Sequence, residues 1–399
     1  MKNKSIDFDE IIDRNEVATL KFDKATLQDV FGSDKLWPAW VADMDFRAAP
    51  AITEALAQRL KHGVFGYENS QQKLPEAISR WCQTRYDWTF SPQHIQFTPR
   101  TLNSIAVLIE LFSEEGDGII VQPPVFYDFK LIIRSTRRKL IKNSLVLQQQ
   151  RYQIDFDNLE QKAQDPANKI LILCNPHNPI GRAWTREELI RISEICAHND
   201  VFIIADEIHG DISYGRCYTP LASVSAQAAD ISASCISPVK SFNLAGLANS
   251  MIVIGNEQKR QRCADWYNRM EVNKNNVFCN TAMLAAYTEG EDWLQQLTAY
   301  LQQNIELVRT TLRQRIPQIK LIEPDASYLL WLDFRELKLD PKALAKFLVE
   351  DAQMATNPGH WFGREGAGFA RINIACPRSV LQQALSTLEQ AVNQLSLSS

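Results

Sequence analysis

No CxxC spacing occurs among the eight cysteines of this 399-residue chain, and several of them sit inside apolar runs. That leaves neither a zinc ribbon nor a disulfide framework, and points to buried free thiols in a reducing cytoplasm. Basic charge is not in excess: 43 Lys and Arg stand against 47 Asp and Glu, for a net charge of −4. A nucleic-acid backbone therefore finds no electrostatic footprint. No apolar run approaches the roughly 18 residues that cross a bilayer. The opening segment, Met1 to Asn15, carries acids and no apolar core, so no secretory signal is expected. GxGxxG after a strand, GxxxxGK(S/T) and the GxSxG elbow are all missing, which leaves dinucleotide, P-loop and serine-hydrolase readings without support. No metal cluster is expected either.

What the chain does have is length and alternation. At 399 residues it exceeds the size at which one core stops growing, so two domains are expected, with room for a site between them. Helical spacing marks Pro50 to His62 and Leu74 to Tyr86, after an irregular aromatic segment, Trp37 to Phe46. Short apolar runs then read as strands: Ile95 to Phe97, Gly118 to Gln122, Lys169 to Cys174, Val201 to Ala205, Ile231 to Ile236 and Ala248 to Ile254. Between them lie helical patterns such as Thr101 to Phe112 and Thr185 to His198, the latter opened by a capping box of Thr185 and Glu188. The alternation predicts an α/β fold with a mostly parallel sheet covered on both faces.

In such sheets ligands bind at the carboxyl ends of the strands. The residues there include Thr98 to Thr101, Phe126, Asn178, Asp206, His209 and the run Ser237 to Lys240. Each has an ordinary alternative: Asp206 as a helix cap, Asn178 as a turn former, Phe126 as core, His209 as a structural histidine. Arg371, alternating with apolar neighbours, reads equally as the polar face of an edge strand. One cofactor accounts for all of them together. Pyridoxal phosphate needs a Schiff-base lysine and an acidic partner for its ring nitrogen. Lys240 and Asp206 supply these, Phe126 a stacking face, and Asn178 or His209 a hydrogen bond to the ring oxygen. The helix opening at Thr101, with Arg100 and Ser237, is placed to receive the phosphate.

The ordered motifs NPHNPIGR (Asn175 to Arg182), ADEIHGD (Ala205 to Asp211), SPVKSFNLAGL (Ser237 to Leu247) and ARINIACPR (Ala370 to Arg378) resemble those of the fold-type I pyridoxal-phosphate enzymes. With FDEIIDR (Phe8 to Arg14), WVADMDF (Trp40 to Phe46) and VFGYEN (Val64 to Asn69), the chain resembles the cystathionine β-lyase or C–S lyase branch, the MalY/PatB-like proteins of the class I/II aminotransferase superfamily. His209 is the discriminator, since aminotransferases of the superfamily commonly carry tyrosine there. The resemblance implies an N-terminal arm with part of a small domain (1–49), a large cofactor domain (50–288) and a C-terminal small domain (289–399). It also implies a cytoplasmic homodimer in which Tyr67 reaches the neighbouring subunit's cofactor phosphate, and an Arg371 that grips the substrate α-carboxylate.

The implied reaction is α,β-elimination on cystathionine or a related cysteine S-conjugate, giving a thiol, pyruvate and ammonia. Lys240 would carry the cofactor and then take the Cα proton. Two positions depart from the family pattern: Arg100 stands where glycine is usual, and Val239 replaces a hydroxyl residue just before the lysine. Either Arg100 offsets the lost contacts by pairing with the phosphate, or cofactor retention is weak; its ordinary alternative is to point to solvent or to a surface acid. An aminotransferase, or a weakly catalytic regulatory or binding protein on the same fold, would share the cofactor residues.

Overall fold

The computed structural model describes residues 6–68, 73–215, 218–247, 249–272 and 274–398. Asn69, Cys217 and Ala248, which belong to stretches singled out in the sequence, lie outside these.

The main sheet has seven strands: β1 (Ile95–Thr98), β2 (Gly118–Val121), β3 (Lys139–Lys142), β4 (Asn168–Cys174), β5 (Phe202–Asp206), β6 (Ser232–Ile236) and β7 (Ser250–Val253). Their order is β1-β7-β6-β5-β4-β2-β3. β7 runs antiparallel to both its neighbours, and the other pairings are parallel. Parallel strands covered on both faces should be apolar on both faces, and alternate residues of one strand should enter different cores. Ile170, Ile172, Phe202 and Ile204 pack with the helix α1 (Thr101–Phe112) on one face. Leu171, Leu173, Ile203 and Ala205 pack with α2 (Arg186–His198) on the other.

The capping box expected at the start of α2 is present. The Thr185 hydroxyl accepts from the Glu188 amide at 3.2 Å, and the Glu188 carboxylate accepts from the Thr185 amide at 2.8 Å. The predicted strands are found within one or two residues of their expected ends. β3, of sequence KLIK, went unpredicted because it is a half-exposed edge strand without a buried face.

A second, antiparallel sheet has the order β8 (Lys320–Ile322), β9 (Leu329–Asp333), β11 (Phe369–Asn373), β10 (Asn357–Pro358). Trp37 and Pro38 of the N-terminal arm pair in parallel with Met354 and Ala355, a short bridge inside a segment expected to be irregular throughout. The arm is also pinned by Phe8, whose ring meets Phe46, Trp293 and Tyr300. The seven described cysteines are free thiols, all buried. No helix among the described residues is long and apolar enough to cross a membrane.

Candidate active site

The carboxyl ends of β1, β2, β5 and β6 open on one cavity of about 180 Å³. Arg100, Thr101, Phe126, Asp206, Ser237 and Lys240 all line it, six positions that the sequence had placed at strand ends. Val239 lines it too, and offers its backbone N–H to the Ser237 hydroxyl at 3.3 Å rather than a hydroxyl of its own.

Asp206 ends β5 and is 4% exposed. Among the described residues its carboxylate accepts only a long 3.5 Å contact from the Ile208 amide. Burial pushes its pKa up to about 7, against that contact and the pull of Lys240. A buried acid so poorly satisfied is stabilised by a cation delivered into the cavity. Lys240 follows β6, and its Nζ donates to the Ala42 carbonyl at 2.7 Å. Burial, then repulsion from Arg371, brings the Lys240 pKa down to about 8, with Asp43 and Asp206 opposing. A useful fraction of the amine is therefore neutral near physiological pH.

At the other end of the cavity α1 begins. Arg100 is its N-cap residue in extended backbone, with no side-chain cap bond, so first-turn N–H groups are left for a ligand. Among the described residues no carboxylate pairs with Arg100. The Thr101 hydroxyl donates to Ser250 at 3.0 Å, and Ser237 donates to the Asn249 carbonyl at 2.8 Å. A carboxylate at one end and unsatisfied N–H groups with a cation at the other fit a ligand that is cationic on one side and anionic on the other. Pyridoxal phosphate, with its protonated ring nitrogen and its phosphate, has that polarity.

Arg371 is not on an edge strand. It lies mid-sheet in β11, in register with Trp331 and Asn357 on either side, and is 2% exposed. Its guanidinium donates to the Asn178 side-chain oxygen (3.0 Å), the Asn357 side-chain oxygen (2.7 Å) and the Trp40 carbonyl (3.0 Å). Nε has no partner, and no carboxylate pairs with it among the described residues. Burial lowers its pKa to about 10. A buried cation with an idle donor is the counterpart of a carboxylate that arrives with substrate.

His209 is buried behind this pair, its Nδ1 at 3.2 Å from the Ser327 hydroxyl. Burial, then Lys240 and Arg371, hold its pKa at about 3, so the imidazole is neutral. Tyr67 stands apart from the cavity, fully exposed in the single chain.

Backbone groups completed what residue types did not reveal. Arg371 and Lys240 are both anchored on carbonyls of the 40–42 segment, and the Tyr328 hydroxyl donates to the same Ala42 carbonyl at 3.0 Å. That segment is held by Asn243, in the left-handed region at φ 57°, which accepts from the Met44 amide and donates to the Met44 and Phe46 carbonyls. Asn373 clamps it from the other side through Val41 and Asp43. Arg14, inside FDEIIDR, pairs with Asp43 and Asp45 at 2.7 Å each. The one signal that could have found Asn243 is its residue type, since asparagine tolerates that conformation at the tight bend after Lys240.

A seven-stranded sheet of this order, with lysine, aspartate and a helix start around one cavity, defines the fold-type I pyridoxal-phosphate transferase fold. Residues 41–388 match the family described as aminotransferase class I and II. The chain belongs to that family. It is 39% identical to the cystathionine beta-lyase PatB of Bacillus subtilis (strain 168), over 97% of this chain and 100% of the relative. It is 34% identical to the protein MalY of Escherichia coli (strain K12), over 97% and 98%. Cystalysin from Treponema denticola, whose crystal structure contains a pyridoxal 5'-phosphate cofactor, superposes with a TM-score of 0.93 at 32% identity, covering 98% of this chain and 99% of that one.

Proposed function

We infer that the protein is a pyridoxal-phosphate-dependent carbon–sulfur β-lyase acting on cystathionine or related cysteine S-conjugates. The observation that carries this reading is that the Lys240 amine of the cavity and a buried, carboxylate-free Arg371 are anchored on one short segment, Lys240 on the Ala42 carbonyl and Arg371 on the Trp40 carbonyl. The full-length likeness to PatB supports the lyase over other chemistries of the fold.

The cofactor, when bound, supplies an electron sink for the bonds broken at the substrate's Cα and Cβ. The chain's residues do the rest. Asp206 would hold the ring nitrogen as a cation, Phe126 would offer its face to the ring, and Asn178, whose oxygen is taken by Arg371, would have its amide NH₂ for the ring oxygen. Neutral His209 supports this side of the site without carrying charge. Arg371 fixes the α-carboxylate, which places Cα beside Lys240. Lys240 Nζ takes the Cα proton, a task closed to arginine, which does not give up its own. Overall, one conjugate and one water yield one thiol, one pyruvate and one ammonia.

The same reading divides the chain at about residues 49 and 288, places it in the cytoplasm, and makes it a homodimer. Exposed Val64, Phe65 and Tyr67 on one loop support the dimer, in which Tyr67 would reach the partner's phosphate site. The test is product analysis with cystathionine: equimolar thiol and pyruvate, independent of added keto acid. Formation of alanine or glutamate only when a keto acid is supplied would make the protein an aminotransferase instead.

Arg100 belongs to the phosphate end in this reading. Arg100→Gly is expected to weaken pyridoxal-phosphate binding about tenfold, the order of one charge-assisted contact at a partly exposed site. Titrating the cofactor-free protein by absorbance reads this directly, and unchanged or tighter binding would remove Arg100 from the site.

A further inference from the structure

Next to the cofactor cavity lies a larger one, of about 550 Å³, and Phe126 belongs to the walls of both. Its wall is aromatic. Tyr127 meets Trp361 and Phe362 edge-on, at ring distances of 5.9 and 5.5 Å. Phe362 also carries the Arg371 guanidinium over its face, 5.1 Å from the ring centre. The substrate's carboxylate clamp, the stacking residue and this second cavity are therefore contiguous.

Its rim is cationic. Lys130, Arg134 and Arg364 line it, all exposed, and none has an ion pair among the described residues. Lys130 and Arg134 stand at i and i+4 on the helix Asp128–Ser135, a spacing at which like charges repel and weaken the helix. The nearby carboxylate of Glu365 is already taken, by Lys142 at 3.2 Å and the Ser144 hydroxyl at 2.8 Å. An aromatic cavity bordered by unneutralised cations favours a ligand whose body is apolar and whose end is anionic.

We propose that this cavity receives the leaving half of the substrate, and that Lys130, Arg134 and Arg364 select leaving thiols that bear a carboxylate at the far end. The proposal rests on the lyase reading and names the substrate class that reading leaves open. These three side chains touch neither cofactor nor reacting atoms, so their effect falls on KM.

The test uses an isosteric pair, S-(2-carboxyethyl)cysteine and its carboxamide, with holoenzyme and a Lys130→Ala/Arg134→Ala/Arg364→Ala variant. The wild type is expected to show a KM about tenfold lower for the carboxylate, the order a few partly screened charge contacts give. In the variant that ratio falls to about one while kcat on the carboxylate changes less than twofold; comparing ratios cancels differences in leaving ability. Equal KM values in the wild type, or a parallel loss on both conjugates in the variant, would overturn the proposal. If neither conjugate releases pyruvate, the lyase reading fails. The same pair measured as ligands by calorimetry then decides the cavity separately: a carboxylate preference lost in the variant supports it, and equal affinities overturn it.

Discussion

Lys240→Ala is expected to lower pyruvate release from cystathionine by at least about ten-thousand-fold, the order seen when an essential member of a catalytic unit is removed. The reason is that one nitrogen carries two tasks. It must bond to the cofactor, and it must then take a proton from Cα, and among the described residues no other amine lines the cavity. Lys240→Arg is expected to fail as well, although it keeps the charge, because guanidinium does not deprotonate. Neither loss should come from unfolding. The lysine is held in a depressed ionisation state by burial, and its one hydrogen bond, to the Ala42 carbonyl, is duplicated by Tyr328. Unfolding temperatures within a few degrees of wild type are therefore expected, and retained turnover in a folded Lys240→Ala protein would sink the assignment.

Arg371→Met is expected to lower kcat/KM by a factor on the order of several hundred, as when one member of a buried, hydrogen-bonded charge pair is truncated. The same change should cost the free protein little or no stability. In the absence of substrate Arg371 is a buried cation whose pKa burial has brought down to about 10, with Nε idle. A methionine of similar length removes that desolvation burden and leaves three acceptors to be satisfied otherwise, so the two effects nearly offset. Activity lost with stability kept is the mark of a residue held for its ligand. A variant that unfolds many degrees lower while keeping its KM would make Arg371 a structural residue.

The strand ends were legible because the sheet is buried on both faces. Continuous runs such as ILILC and FIIA have few other uses, and the carboxyl end of each run marks where a site can form: Asp206, at the end of the second, faces the cavity, whereas Asn175, after the first, bonds to Thr219 and Trp184 instead. Lys240, Asp206, Phe126, Ser237, Thr101 and Arg100 were therefore found from order along the chain alone. Arg371 was less legible, since FARIN alternates as an edge strand would; only the neighbours Trp331 and Asn357, distant in sequence, make it central. Least legible was the closure of the site by the 40–46 segment. Its contacts to Lys240 and Arg371 are made by backbone carbonyls about 200 and 330 residues away, at Ala42 and Trp40. A carbonyl is the same in every residue, so no residue type announces it. The cationic rim of the second cavity was hidden for a related reason: Lys130, Arg134 and Arg364 read singly as solvated surface charge, and only folding brings them around one opening.

The central claim is that a single lysine carries the cofactor and does the proton work. Its most direct test is borohydride reduction of the pyridoxal-phosphate-loaded wild type, which fixes the cofactor to whichever amine holds it, followed by peptide mapping. One label per chain is predicted, on the peptide containing Lys240, and none in Lys240→Ala; a label on another lysine, or none on a protein that has bound cofactor, would contradict the account.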